Sequence, residues 1–274
     1  FTREIEAHKV VEKLVNYLPD YLEHTKENNQ QLQSEMERLS HSFLLSEPEI
    51  SHIRDLKSEL SAQEEVVLTA LEDAAEMKKP FSLVREELEA IQDRLKEIED
   101  EQIELGEQLE KIEKDDVNAR QKVTIYANKL HTIKRFMEKR NLPGIPESFL
   151  TIFFGASDYI EELARELEAT RVNIESVNRW LEILANTMNE LEEETYRIVR
   201  NSTLTEQLLQ YSNRYRSFDD NVQAAFNESL HAFEVEFDYA KSLEIISKAL
   251  DVVEPGVSAR FISSYEKTRE NIRF

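Results

Sequence analysis

Apolar residues recur along most of this chain at alternating steps of three and four. Between Pro80 and Arg140 the series runs Phe81, Val84, Leu88, Ile91, Leu95, Ile98, Gln102, Leu105, Leu109, Ile112, Asp116, Ala119, Val123, Tyr126, Leu130, Ile133, Met137, and only Gln102 and Asp116 are polar. A repeat of 3.5 residues keeps one stripe of a helix turned toward a partner helix, the packing condition of coiled coils and long bundles. At 1.5 Å per residue, sixty residues make a helix of ~90 Å, far beyond the ~30 Å of a small domain. Such a helix is expected to join more than one packed unit or to stand out as a rod.

The same spacing predicts the neighbouring elements. A first helix covers residues 1–45, with a kink or break expected at Pro19, where a backbone hydrogen bond is lost. Ser46 reads as the N-cap of a second helix with Pro48 in its first turn. Its seam is Ile53, Leu56, Leu60, Gln63, Val67, Ala70, Ala74 and Met77. Pro80 then either turns the chain or kinks a still longer helix. After the long helix, Asn141-Leu142-Pro143-Gly144-Ile145-Pro146 is the densest turn signal. A short helix from Pro146 to Phe154, stopped by Gly155, and an uninterrupted helix over 158–200 are expected next. Shorter, aromatic-rich helices follow at 203–215, 219–252 and beyond Gly256, as a compact cap. The fold class is all-α, with units expected at 1–106 and 107–274.

Composition narrows the function. Four glycines and six prolines in 274 residues leave room for few connections. The net charge is −22, and each of the segments 1–80, 81–140, 141–200 and 201–274 is negative, so none of them is basic. Nucleic acid and anionic membrane surfaces are therefore not expected partners. No cysteine is present, which excludes disulfides and thiolate metal sites and fits a cytoplasmic setting. No apolar run reaches the length of a membrane span. The chain opens on Phe1, without a methionine and already in helical register, and reads as a fragment whose N-terminal region, with a possible anchor, lies outside it.

Two Glu-x-x-His pairs, Glu49 with His52 and Glu228 with His231, carry the spacing used by di-iron helical bundles. Chance explains them, because glutamate is abundant and no seam places further glutamates inside. A di-iron enzyme is thus the alternative from another class. No glycine-rich phosphate loop or nucleophile-and-base pattern occurs, and no cofactor is expected. Gln102 and Asp116 read as register devices, and Gly106 between them as a hinge, a helix crossing or an inconsequential exposed glycine. The most unusual short stretch is Gln210, Tyr211, Ser212, Asn213, Arg214, Tyr215 and Arg216, two tyrosines one turn apart with two arginines in an acidic chain. Arginine and tyrosine are enriched at binding hot spots, while a helix C-terminus would also favour them.

Asn-Leu-Pro-Gly-Ile-Pro at 141–146, Gln-Tyr-Ser-Asn-Arg-Tyr-Arg at 210–216, Phe-Asp-Tyr-Ala-Lys-Ser-Leu-Glu-Ile at 237–245 and Val-Glu-Pro-Gly at 253–256 resemble the C-terminal half of the EzrA family, septation ring formation regulators of low-GC Gram-positive bacteria. The resemblance is specific over the last 130 or so residues; earlier helices would match any coiled coil. It implies an N-terminal membrane helix, absent here, followed by a cytoplasmic elongated rod of antiparallel three-helix, spectrin-like bundles that share long continuous helices. It also implies binding to the tubulin-like division protein FtsZ, restraint of its assembly away from midcell, and links to the membrane and to cell-wall synthesis proteins at the septum. The family's patch for midcell localisation falls on Gln210 to Arg216. A generic coiled-coil scaffold that self-associates through its seams is the other reading.

Overall fold

The computed structural model describes residues 2–268. The described residues are all-α: α1 (Thr2–Ser40), α2 (Glu47–Ala75), α3 (Phe81–Glu138), α4 (Glu147–Leu167), α5 (Ile174–Ser212), α6 (Asp220–His231), α7 (Tyr239–Val253) and α8 (Val257–Thr268), with a π-helical turn at Ala232–Glu236. The chain forms two compact units, Phe1–Asn118 with Glu166–Val177, and Ala119–Arg165 with Asn178–Phe274. The division passes through α3, α4 and α5.

In the first unit the seam of α3 is realised. Val84, Leu88, Ile91, Leu95, Ile98, Leu105 and Leu109 are buried. Ion pairs and hydrogen bonds give the directions of the helices. Lys26 pairs with Glu64 and Lys57 with Gln33, so α2 runs antiparallel to α1. Arg94 with Glu59 and His52 with Glu101 make α3 antiparallel to α2. The Tyr21 hydroxyl donates to Glu99 at 2.6 Å and Arg38 binds Glu113 at 2.7 Å, so α3 ascends alongside α1. Burial and the Glu99 carboxylate both raise the Tyr21 hydroxyl above its ordinary range.

Pro80 turns the chain. Before it, α2 stops at Ala75 and Met77 adopts a left-handed conformation (φ 51°), with the Lys78 amide closing on the Asp73 carbonyl at 3.2 Å. Capping of this kind satisfies the last carbonyls of a helix. It also takes Met77 out of the seam, leaving it 73% exposed. Ser46 caps α2 as expected, in a reciprocal pair with Glu49. Pro19 does not break α1; it lies on the exposed side, where solvent can satisfy the freed carbonyl.

A polar layer crosses this core. Thr25, Asn29 and Gln102 are buried, and the Gln102 amide donates to the Thr25 carbonyl at 2.9 Å. Asn29 Oδ1 and Gln102 Oε1 have no partner among the described residues. Gly106 is half-buried, and a Cβ there would sit 3.6 Å from Leu32 Cδ2, ordinary contact, so crowding does not demand glycine.

Three expectations fail between Pro146 and Ser212. Gly155 does not end a short helix, since α4 runs through it to Leu167. The helix expected over 158–200 is broken at 168–173, where the backbone leaves the helix to pair with the end of α1: the Val172 amide donates to Ser42 (2.8 Å) and the Leu44 amide to Val172 (2.9 Å). Asn173 then restarts the helix by accepting the Ser176 amide at 3.0 Å. No break follows Asn201, so the helix expected from Thr203 is the last part of α5.

The second unit ends differently. The helix expected over 219–252 divides at Phe237, whose φ of 55° is left-handed, after the π-helical turn. The Phe237 ring covers Gly144, where a Cβ would lie 2.5 Å from three ring carbons, and Tyr239 donates to the Gly144 carbonyl at 2.7 Å. The core here is Leu208, Leu209, Val222, Ile246, Leu250 and Val257, with aromatic rings packed on its edge.

Candidate functional site

The stretch 210–216 lies where α5 gives way to α6. Ser212 is the last residue of α5, fully buried, its hydroxyl returned to the Leu209 carbonyl at 2.7 Å. A series of turns follows: the Tyr215 and Arg216 amides donate to Ser212 (2.9 and 3.1 Å), and those of Phe218 and Asp219 to Tyr215. The Asp219 carboxylate accepts the Asn221 and Val222 amides and so starts α6.

The two tyrosines are held from below. Both hydroxyls donate to the same Glu254 oxygen, each at 2.7 Å, and Arg260 binds the other oxygen. Tyr211 also meets Phe261 edge-on, with centroids 5.3 Å apart. Donation from Tyr211, Tyr215 and Arg260 lowers the Glu254 carboxyl to about 2, and the Glu254 carboxylate pushes the Tyr215 hydroxyl up to about 12. Both shifts follow from hydrogen bonds that favour carboxylate and neutral phenol together.

The arginines are held differently. Arg214 lies over the Tyr211 ring and Arg216 over the Phe226 ring, each 4.5 Å from the centroid. A guanidinium on a ring face keeps its charge and most of its donors free. Neither has an ion-pair partner among the described residues. Gln210, Asn213 and Arg214 are exposed, Tyr211, Tyr215 and Arg216 half-buried. Phe218, beside Tyr215, is 72% exposed. The structure therefore separates the stretch into an inward anchor (buried Ser212 with half-buried Tyr211 and Tyr215) and an outward set of amide and guanidinium donors (Gln210, Asn213, Arg214, with Arg216 at its edge). Such a surface can engage carboxylates and backbone carbonyls of a protein.

The supporting residues Glu254, Arg260, Phe226 and Phe261 carry no signal in the sequence that ties them to this stretch. Val-Glu-Pro-Gly stands out only as a turn, and it is one: Gly256 takes a φ of 82°, which glycine alone adopts without cost.

The two Glu-x-x-His pairs belong to different units, one to each. Glu49 caps α2, His52 faces Glu101 at 3.0 Å, and His231 lies 3.3 Å from Glu236. Among the described residues no group of three or more His, Asp or Glu side chains is placed to hold a metal. None of their helices is long and apolar enough to cross a membrane.

Residues 1–265 match the family described as "Septation ring formation regulator, EzrA". Over all 274 residues the chain is 77% identical to the septation ring formation regulator EzrA of Streptococcus sanguinis (strain SK36). Identity is 68% with that of Streptococcus gordonii (strain Challis) and 57% with that of Streptococcus pneumoniae (strain Hungary19A-6). It covers 48% of each of these proteins, so the chain spans about half the length of the curated relatives it matches. No solved structure matches it. The chain belongs to the EzrA family of septation ring formation regulators.

Proposed function

We propose that this chain is a scaffold, not an enzyme, that acts at the division septum by binding proteins. Its main partner in this reading is FtsZ, whose assembly it restrains away from midcell, and it ties the division ring to the membrane and to cell-wall synthesis proteins. Attachment to the membrane belongs to an N-terminal helix outside the sequence described. The patch Gln210 to Arg216 is the contact for partner binding or midcell recruitment.

One observation carries the reading: Arg214 and Arg216 are kept on ring faces, without an ion-pair partner among the described residues, in a chain of net charge −22. Such a chain has carboxylates to spare, and an arginine left free of them is available to another molecule. Charges more than about 8–10 Å away are screened at cellular salt. The local donors of this patch, rather than the overall charge, then govern a contact with an acidic partner.

Co-sedimentation with polymerising FtsZ, wild type beside Arg214→Ala and Asn213→Ala, tests this. Pelleting with the polymer is expected for the wild type and its loss in both variants, with helicity and melting unchanged. Equal pelleting of wild type and variants would move the contact off this patch. A wild type that stays in the supernatant would remove FtsZ as the partner, and a variant that melts early would make the patch structural.

A further inference from the structure

Counting charge over long segments hides a reversal inside α3. From Arg120 to Arg140 the chain carries seven lysines and arginines against a single acid, Glu138, whereas the stretch from Arg85 to Asp116 is strongly acidic. The basic stretch lies in the second unit. Its buried side is the seam already described, with Ala119, Leu130, Ile133 and Met137 inside.

From beside that seam at Lys122, winding to its far side by Asn128, runs another line of residues, Lys122, Ile125, Asn128, Thr132, Arg135, Lys139, again at steps of three and four, and every member is exposed. Ile125 is 53% exposed in the middle of it. Lys134, exposed as well, lies on the other side of the seam from Lys122. Other cations of the stretch are engaged: Lys129 binds Glu192, and Arg140 lies over the Phe136 ring. Lys122, Lys134, Arg135 and Lys139 have no ion-pair partner among the described residues.

Cations in the last turn of a helix complement its dipole, and Arg135 and Lys139 can serve in that way. The dipole falls off within one turn. Lys122 stands more than four turns earlier, so the row needs another reason. From Lys122 to Lys139 it spans about 26 Å at 1.5 Å per residue, the length of a short helix.

The geometry points to a docking surface for an acidic, amphipathic segment of a partner protein, laid along the Lys122–Lys139 row with carboxylates on the cations and an apolar side chain on Ile125. Charge complementarity selects the occupant. A nucleic acid presents a phosphate about every 1.7 Å of duplex and would run off the short row onto carboxylates, beginning with Asp115 and Asp116. A protein segment need extend no further than the row itself. The surface is independent of the patch at 210–216 and does not require FtsZ as its occupant.

The test uses fluorescence anisotropy of the whole chain with a labelled 21-residue helical peptide bearing glutamates on its outer face. Its lysine counterpart, phosphatidylglycerol vesicles and a short DNA duplex are run alongside. The acidic peptide is expected to bind saturably at 50 mM salt, at least about tenfold more weakly at 300 mM, and the lysine peptide not at all. Arg135→Glu with Lys139→Glu should weaken binding at least about tenfold while leaving melting unchanged. Lys122→Glu with Lys139→Glu should act in the same direction, and Arg214→Ala should leave binding intact. Absence of saturable binding, or indifference to both charge-reversed pairs, would overturn the proposal. So would abolition by Arg214→Ala, or stronger charge-dependent binding of the vesicles or the duplex.

Discussion

The first unit and the C-terminal part of the second solve the same problem, burial of an all-α core, in opposite ways. In α1–α3 three long helices repeat one device, a 3.5-residue seam of medium-sized aliphatic side chains, and a substitution at one level leaves the other levels intact. In α6–α8 short helices pack side against side and, with the end of α5, enclose six aliphatic residues, rings close the edges, and the backbone departs from helix at the π-turn and at Phe237. A repeated seam spreads its stability along its length, whereas a closed cap concentrates it in a few residues.

The sharpest contrast is at the two cores. Leu250, fully buried in the cap, touches a core with few other members, so Leu250→Ala is expected to destabilise the second unit by roughly 2–5 kcal/mol. Thermal unfolding should show an early transition there while the α1–α3 unit melts as before. Leu95→Ala, equally buried in the seam, should cost a comparable amount but in the other transition. Coincident loss of both transitions in either variant would make the two units one cooperative body and erase the comparison.

Two glycines give a smaller and opposite pair. Gly144 sits under the Phe237 ring, and alanine there drives a Cβ to 2.5 Å from it. The ring must shift, stretching the Tyr239 bond to Gly144, at an expected cost of about 1–3 kcal/mol. Gly106, inside α3, has room for a Cβ against Leu32, and alanine removes the penalty of glycine in a helix. Gly106→Ala is expected to stabilise the first unit by up to ~1 kcal/mol. Urea unfolding of the two variants decides it: stabilisation by both would mean that the Phe237 cover yields freely, and destabilisation by Gly106→Ala would restore the glycine as a close crossing.

These contrasts also mark what the sequence discloses. The seam of α3 is legible because burial repeats a single periodic condition, and Val84, Leu88, Leu95 and Ile98 meet it turn after turn. Ser46 and Pro80 are legible because their constraints are local. The break at 168–173 is not: Thr170 fits the periodicity, and only a non-local partner, the end of α1, draws Val172 out of the helix. Phe237 is illegible for a related reason, since a left-handed phenylalanine is held by its cover over Gly144 ninety-three positions earlier. Gln210 to Arg216 stands out by residue type, but the division of labour within it depends on Glu254 and Phe226. The basic row of α3 is present in the sequence and escapes notice when its charge is averaged with the acidic residues before it.

The smallest expected effect lies at the corner where α5 meets Glu254, and pH reads it. Glu254 titrates at about 2 in the folded chain because Tyr211, Tyr215 and Arg260 donate to it, below the ~4.3 of a free glutamate. Its contribution is therefore present above pH ~4.3 and is lost as pH falls toward 2. Tyr215 moves the other way, from the ordinary ~10 up to about 12, because its proton is held against the Glu254 carboxylate. Its contribution is present below pH ~10 and is lost as pH rises toward 12. The corner should thus be tightest between pH ~5 and ~9 and loosen on both sides, modestly, since solvent screens groups so near the surface. Glu254→Gln removes both limbs, so the melting difference between wild type and variant should be largest near neutrality and shrink at pH 3 and at pH 11. Tyr215→Phe removes the alkaline limb and keeps part of the acidic one, through Tyr211 and Arg260. A wild-type minus Glu254→Gln difference that stays flat from pH 3 to pH 7 would show that Glu254 does not hold the two tyrosines in place.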